Sequence, residues 1–508
     1  MMFSRRSFLA SLAALATAPA HGRNELVRAE APFSRDWLEN EARRLSRAPH
    51  RPLPDVPQAW RDLTYDQYRM IWFNSQKAIW ADEPRPLQLD LFAAGLYFEH
   101  PVEVAIVEAG VARTLGFDLS LFVKTDRFPD LPLDDTMGYS GLRLRAELRQ
   151  RGIFEEFMVF QGASYFRAIA NGQTYGLSAR GLALNTADAD GEEFPEFTRF
   201  WVDAPEAGSE TFTVHALLDG PSTTGAYSFA VTPGTPAVVE VEAVLYPRVP
   251  LDHVGLGPLT SMFLFDETNR NRFDDFRPAV HDSEALMVWN GNGEVLWRPL
   301  ANPSALQISS FVDEDPRGFG LMQRGRRAGD FADLEAFYEN RPSLWITPRG
   351  DWGVGAVRLV EIPADREIYD NIVAYWRPRD ALAAGAEHRF AYRMDWGDQP
   401  AGLPDLARVI NTRIGKGFDQ VKTVFTVDFA DHRAFAEGPE ALGVHVSANR
   451  GGISAGVLQR NPGTGGLRLA FSVEPGGKVE PGGVVELRAQ LLKSGTPISE
   501  VWLYRWTA

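Results

Sequence analysis

A chain of 508 residues with 44% hydrophobic content can bury more than one core, and its length predicts two to three domains unless one is a large β unit. A formal charge of −15 without any Lys/Arg-rich block argues against nucleic acid and against anionic membranes, and leaves a neutral ligand unopposed. The complete absence of cysteine excludes thiolate chemistry and leaves the fold to be held by burial alone.

In chain order, residues 1–20 read as an export address. Ser4-Arg5-Arg6-Ser7-Phe8-Leu9 is followed by the apolar run Leu9 to Ala16 and the small-residue site Ala18-Pro19-Ala20, the tripartite order of a twin-arginine signal. The run is too short for a permanent anchor. The expectation is a periplasmic protein with no stable membrane anchor. Ser34 is placed as an N-cap ahead of Leu38, Ala42 and Leu45 at helical spacing, and Thr64 to Trp72 as a second short helix. From about Pro86 the texture turns to strands. Phe212, Val214, Ala216 and Leu218 alternate with polar residues, as do Val239, Val241, Ala243 and Leu245, the pattern of half-buried antiparallel strands. Asp330 to Asn340 is predicted as a helix. A boundary is placed near Pro378 to Glu387. Beyond it come alternating runs such as Phe390/Tyr392/Met394/Trp396, Phe425/Val427/Phe429 and Val485/Leu487/Ala489/Leu491, the signature of an immunoglobulin-like sandwich. The predicted class is all-β: a large sandwich domain over 23–380 and an immunoglobulin-like domain over 388–508.

The stretch from Arg272 to Pro303 concentrates the chemistry. Asp274, Asp275 and Asp282 lie close to His281, and Glu284 follows. Trp289 and Trp297 flank Asn290-Gly291-Asn292-Gly293, so a hairpin is predicted. Carboxylates beside flat rings suit a sugar-handling cleft, because carboxylates move protons on glycosidic oxygens and rings pack on pyranose faces. The plainer alternative makes the aspartates solvated turn residues and the tryptophans core.

Other strings carry less. Gly452-Ile453-Ser454-Ala455-Gly456 matches a nucleophile elbow but lacks the strand-then-helix setting that the elbow needs. Nine scattered histidines offer no metal-ligand spacing. Asp188-Ala189-Asp190-Gly191 has its glycine too early for a calcium loop. No phosphate or dinucleotide loop is present, so neither metal nor cofactor is expected.

Several ordered motifs together resemble the periplasmic glucan biosynthesis proteins G and D (MdoG and MdoD). They are Phe160-Gln161-Gly162-Ala163-Ser164-Tyr165-Phe166-Arg167, Tyr175-Gly176-Leu177-Ser178, Glu193-Phe194-Pro195, Pro258-Leu259-Thr260-Ser261, His281-Asp282-Ser283, Trp297-Arg298-Pro299-Leu300, Tyr338-Glu339-Asn340-Arg341-Pro342 and Asp370-Asn371-Ile372-Val373. The resemblance runs from about residue 33 to the C-terminus, and the twin-arginine segment is similar to the D branch. It implies a β-1,2-glucan held in a cleft of the large domain, and an enzyme that hydrolyses or transfers with inversion. Carried over by motif, Asp370 matches the general acid and Asp282 the general base, the latter acting through waters. Tyr338 and Arg341 match cleft residues, and Trp289 and Trp297 are added as sugar platforms. From the residues alone a turn is the plainer reading of Asp370-Asn371. Partial burial is expected to keep a proton on Asp370.

One departure bears on mechanism. In hydrolytic D members the segment after the Thr412-Arg413 motif is long and covers the proton path. Here it leads almost directly to Phe425. A sugar hydroxyl then replaces water as acceptor, giving transfer, with a ring as one product. The other class of reading is a non-catalytic scaffold that binds nascent glucan. The oligomeric state is left open, with a homodimer among the possibilities.

Overall fold

The computed structural model describes residues 26–123, 128–474 and 482–507. The proposed signal segment lies outside them. Among the described residues the chain is all-β and sandwich-like, built on a 16-stranded and a 10-stranded sheet, with a 5-stranded sheet toward the C-terminus. The 10-stranded sheet packs on the first part of the 16-stranded one. Leu142, Phe157 and Phe160 from one and Phe200, Val214 and Phe229 from the other share a single core, with Phe160 and Phe229 edge-on at 5.1 Å.

The hairpin predicted around the Asn/Gly turn forms: Ala285–Trp289 pairs antiparallel with Val295–Pro299, Met287 opposite Trp297. Its location explains why it reads as two short apolar runs. Leu286, Val288 and Leu296 point into the large core. Ala285, Met287, Val295 and Trp297 point the other way, into a second core with Phe425, Phe471 and Trp502. A strand buried on both faces loses its polar alternation. Val295–Pro299 also pairs in parallel with the C-terminal strand Val501–Thr507, Trp297 opposite Trp502. The long sheet therefore runs from the large sandwich into the C-terminal one, and this hairpin is the seam.

The first helix forms as predicted, Arg35–Ser46, with the Ser34 hydroxyl accepting from Trp37 N. Leu38 and Ala42 cover Trp201, Leu217 and Val244 on the outer face of the sheet. Three expectations differ from the structure. The second helix is a single turn, Tyr65–Tyr68, capped by Thr64, and Trp72 lies in a short strand. Asp330 to Asn340 is not one helix. Ala328–Phe331 makes one turn, Ala332 (φ 56°) and Phe337 (φ 48°) are left-handed, and the Asp333 carboxylate accepts from Glu335 N and Ala336 N. A short acidic side chain that bonds the following amides competes with helix continuation. Third, the strand His388–Gly397, placed beyond the boundary by its sequence, pairs on both sides within the large sheet, Val241↔Tyr392 and Ile346↔Met394. The chain leaves that sheet after Gly397.

Candidate active site

Asp282 follows the two-residue strand Val280–His281, which pairs with Phe263–Phe265, and its N–H donates to Met262 O at 2.8 Å. The residue is only 4% exposed, and the Arg341 guanidinium donates to its Oδ1. Burial pushes the Asp282 carboxyl up from its ordinary value; the Arg341 charge opposes that, and the charge of Asp370 adds to it. Two negative groups that feel each other across a site are the raw material of paired carboxylate chemistry.

Arg341 is held on three sides. Its Nε and Nη2 each donate to Ala336 O at 3.3 Å, a carbonyl presented by the Asp333 turn. Its guanidinium lies 4.2 Å from the centroid of Tyr338. Its aliphatic stem runs against Gly176, where a Cβ would sit 2.9 Å from Arg341 Cβ. Any side chain there would displace the guanidinium from Asp282. Tyr338 is buried, its phenol pushed up chiefly by that burial, and it donates to Glu367 Oε2 at 3.1 Å. Glu367 also meets Arg277 at 2.8 Å, which further binds Asp333 at 2.7 Å and Asp275 at 2.8 Å. Arg277 thereby ties together three loops, around residues 275, 333 and 367. Asp275, a candidate acid in the sequence, is an ion-pair partner of Arg277, and Asp274 is exposed.

Asp370 ends the loop 362–370, immediately before the strand Ile372–Pro378. The loop is pinned by its neighbour Asn371, whose Oδ1 accepts from Phe263 N (2.8 Å) and whose Nδ2 donates to Phe263 O and Ile362 O (3.0 Å each). Phe263 pairs with His281, so one amide sets Asp370 relative to the segment that carries Asp282. The expected partial burial of Asp370 is not found: its side chain is 37% exposed, and Arg167 Nη2 lies 3.7 Å from Oδ2. It closes an exposed stretch of the loop, next to Ile368 and Tyr369, both exposed.

The strand Tyr165–Ala168 carries Arg167 and Tyr165. The Arg180 guanidinium lies 4.9 Å from the Tyr165 ring and 5.4 Å from Phe194, the latter 48% exposed. Arg180 is fixed by Glu192 at 2.5 Å and Thr260 Oγ1 at 2.9 Å. Charges on Arg180, Asp370 and Arg167 all reach the Tyr165 phenol. Phe194, Arg180, Tyr165 and Asp370 are thus linked by ring and charge contacts, with Tyr369, also exposed, beside Asp370.

Trp289 and Trp297, predicted as sugar platforms, face elsewhere. Trp297 is buried in the C-terminal core with Arg324 stacked 3.5 Å from its centroid. Trp289 packs at the edge of the same core under Arg317. Behind His281 lies a cavity of about 680 Å³, which Trp297 borders and neither Asp282 nor Asp370 lines. His281 is pushed down to about 4 by burial and stacks on Phe263. Glu284, lining the same cavity, is pushed up to about 7 by burial while accepting from the amides of Arg324 and Gly325.

Arg167, Arg277 and Glu367 were not singled out by sequence. Arg167 did stand in the Tyr165-Phe166-Arg167 motif. Among the described residues no cluster of three or more His, Asp or Glu is arranged to hold a metal ion, and no helix is long and apolar enough to cross a membrane. The string at Ser454 lies against the strand Leu467–Glu474, its Oγ accepting from Ser472 N, without an elbow.

Residues 33–506 match the family described as periplasmic glucan biosynthesis protein, MdoG. Among similar curated proteins, glucans biosynthesis protein G 1 of Shewanella oneidensis is 47% identical over 495 residues, covering 97% of this chain and 90% of that protein. Glucans biosynthesis protein G of Shewanella sp. (strain W3-18-1) is 48% identical over 478 residues, 94% and 87% respectively. The protein of that name from Shewanella baltica (strain OS155) is 48% identical over 483 residues, with the same coverage.

Proposed function

The chain belongs to the MdoG family of periplasmic glucan biosynthesis proteins, and from that premise we propose that it acts in the periplasm on a β-1,2-linked glucan, as an anomer-inverting hydrolase or transglycosylase. The single observation that carries this reading is that two unlike carboxylates lie close enough for the charge of one to act on the other. Asp282 is buried on Arg341, and Asp370 is open beside Arg167. An inverting reaction needs one carboxyl to protonate the departing oxygen and another to take the proton of the incoming nucleophile. Asp370 is the reachable donor. A sugar chain lying over it from Phe194 and Tyr165 supplies the cover that the empty loop lacks. Asp282, held by Arg341, accepts the proton of the attacking hydroxyl, directly or through waters.

The acceptor is a sugar hydroxyl. The strands Val409–Lys416 and Thr423–Phe429 are joined by a short turn at residues 417–422, so this segment supplies no long cover to align a water, whereas a bound glucan chain is positioned by its own contacts. In the transfer step the C1–O bond to the leaving sugar breaks and its oxygen takes the Asp370 proton. A new C1–O bond forms to a hydroxyl whose proton goes to Asp282. Attack by the same chain closes a ring one water lighter than the linear chain. The D-like branch and twin-arginine export belong to this proposal, carried by Arg5 and Arg6. Mass spectrometry with NMR linkage analysis after incubation with linear β-1,2-glucan tests it. Rings support transfer, and linear oligosaccharides with free reducing ends support hydrolysis.

The exposure of Asp370 favours a second reading, a glucan-binding scaffold without turnover. Binding without any product supports it.

A further inference from the structure

A second trough, of about 710 Å³, opens where the loop 266–272, the loop after Val295–Pro299 and the C-terminal strand meet. Its charge is opposite in sign to that of the protein as a whole. Arg270, Arg272 and Lys416 line it. Arg270 donates to the carbonyls of Asp275 and Phe276, and Arg272 to that of Asn302. Lys416 reaches only the Thr423 hydroxyl, at 3.4 Å. Among the described residues none of these three has a carboxylate within ion-pair distance, although most arginines of the chain do. The acid in the lining, Glu267, is engaged by Arg413 at 3.0 Å and by Asn411. Cations gathered on a concave surface without counter-charges attract an anion.

Two further features restrict the ligand. Trp506 lines the trough, backed edge-on by Phe425 at 5.9 Å, which offers a ring to an apolar sugar face. Gln307 Oε1, also on its wall, is a buried acceptor without a donor, and a hydroxyl satisfies it. Cation, ring and orphan acceptor together suit a saccharide that carries an anionic group better than a bare anion. We infer that this trough binds the anionic substituent of a substituted glucan. The trough also communicates with the cleft: Asn302, whose carbonyl receives Arg272, holds Ala364 through both its amide atoms at 2.7 and 3.0 Å, and Ala364 lies on the loop that presents Glu367 and Asp370.

The inference rests on the glucan reading above, and its test separates the two. Calorimetry of the whole protein compares neutral linear β-1,2-glucan, the same glucan oxidised to carboxylates at C6, and inorganic phosphate. The oxidised chain is expected to bind about tenfold tighter than the neutral one in low salt, through exposed ion pairs. In high salt the advantage disappears. In Lys416→Gln and Arg270→Gln, both at exposed positions, the advantage falls while neutral glucan binds as before. Equal affinity for neutral and oxidised chains overturns the trough and leaves the cleft reading intact. Oxidised glucan bound through Lys416, with neutral glucan not bound at all, leaves the trough standing and removes the cleft reading. Phosphate alone binding as tightly as the oxidised chain overturns the claim that the anion is carried on sugar.

Discussion

Arg341 donates a hydrogen bond to the carboxylate of Asp282 at a position where both side chains are shielded from water. Burial and the arginine act on that carboxyl in opposite directions, and burial dominates. Removing the arginine leaves an uncompensated buried charge, a loss on the order of 3–5 kcal/mol. Arg341→Ala is therefore expected to lose stability in urea denaturation at neutral pH. The sign of its pH dependence follows from the raised carboxyl. The folded state binds that proton more tightly than the unfolded state does, so stability falls as pH rises above the unfolded value. The deficit of the variant shrinks as pH is lowered and Asp282 is neutralised. A deficit that is equal at pH 4.5 and pH 7.5 contradicts the assignment.

Glu284 provides a second titration, away from Asp282 and Asp370. Its carboxyl is pushed from 4.5 to about 7 by burial, so its burial costs stability as pH rises from about 4.5 through 7. Glu284→Gln abolishes the titration. Its stability relative to the parent is expected to climb across that window, by about 3 kcal/mol at most. A flat difference across the window would show that the backbone amides of Arg324 and Gly325 compensate the charge fully.

The acid is tested by Asp370→Asn, which keeps the shape and removes the proton. Turnover of linear glucan is expected to drop by about two orders of magnitude or more, with glucan affinity retained by calorimetry. Near-parental turnover removes Asp370 from the reaction.

On the proposed reading the sugar platform is Phe194 and its neighbours in place of the tryptophans. Phe194→Ala is expected to weaken glucan binding with little change in melting temperature, because the ring is half exposed. Trp297→Ala is expected to do the reverse, costing about 3–5 kcal/mol of stability as a large core truncation. Its folded fraction should bind glucan normally. Weakened glucan binding by folded Trp297→Ala, with Phe194→Ala binding as the parent does, would restore the original assignment.

Local signals were readable in the sequence where they act locally. The Asn/Gly turn announced the hairpin, and Ser34 announced the first helix. What the hairpin does was not readable, since burial on both faces erases the alternation that tells which core a residue faces. That is why Trp297 passed for a cleft residue. The helix expected at Asp330 to Asn340 failed because Asp333 bonds its own backbone and Phe337 takes a left-handed conformation. The strand His388–Gly397 looked like the start of the second domain because its alternation is the same in either sheet; only its two partners decide. The roles of Arg167 and Arg277 were not readable for a related reason. Each is a lone arginine in sequence, and the carboxylates that define their roles, Asp370, Asp333 and Glu367, arrive from far along the chain.

The most direct test of the paired-carboxylate account is the product mass spectrum of linear β-1,2-glucan incubated with the parent protein, Asp282→Asn and Asp370→Asn side by side. The account predicts that the parent yields new species, among them rings one water lighter than the matching linear chains, and that both variants form them about two orders of magnitude or more slowly while still binding the glucan. Parent protein that leaves the glucan intact, or either variant giving the parent's products at the parent's rate, would contradict it.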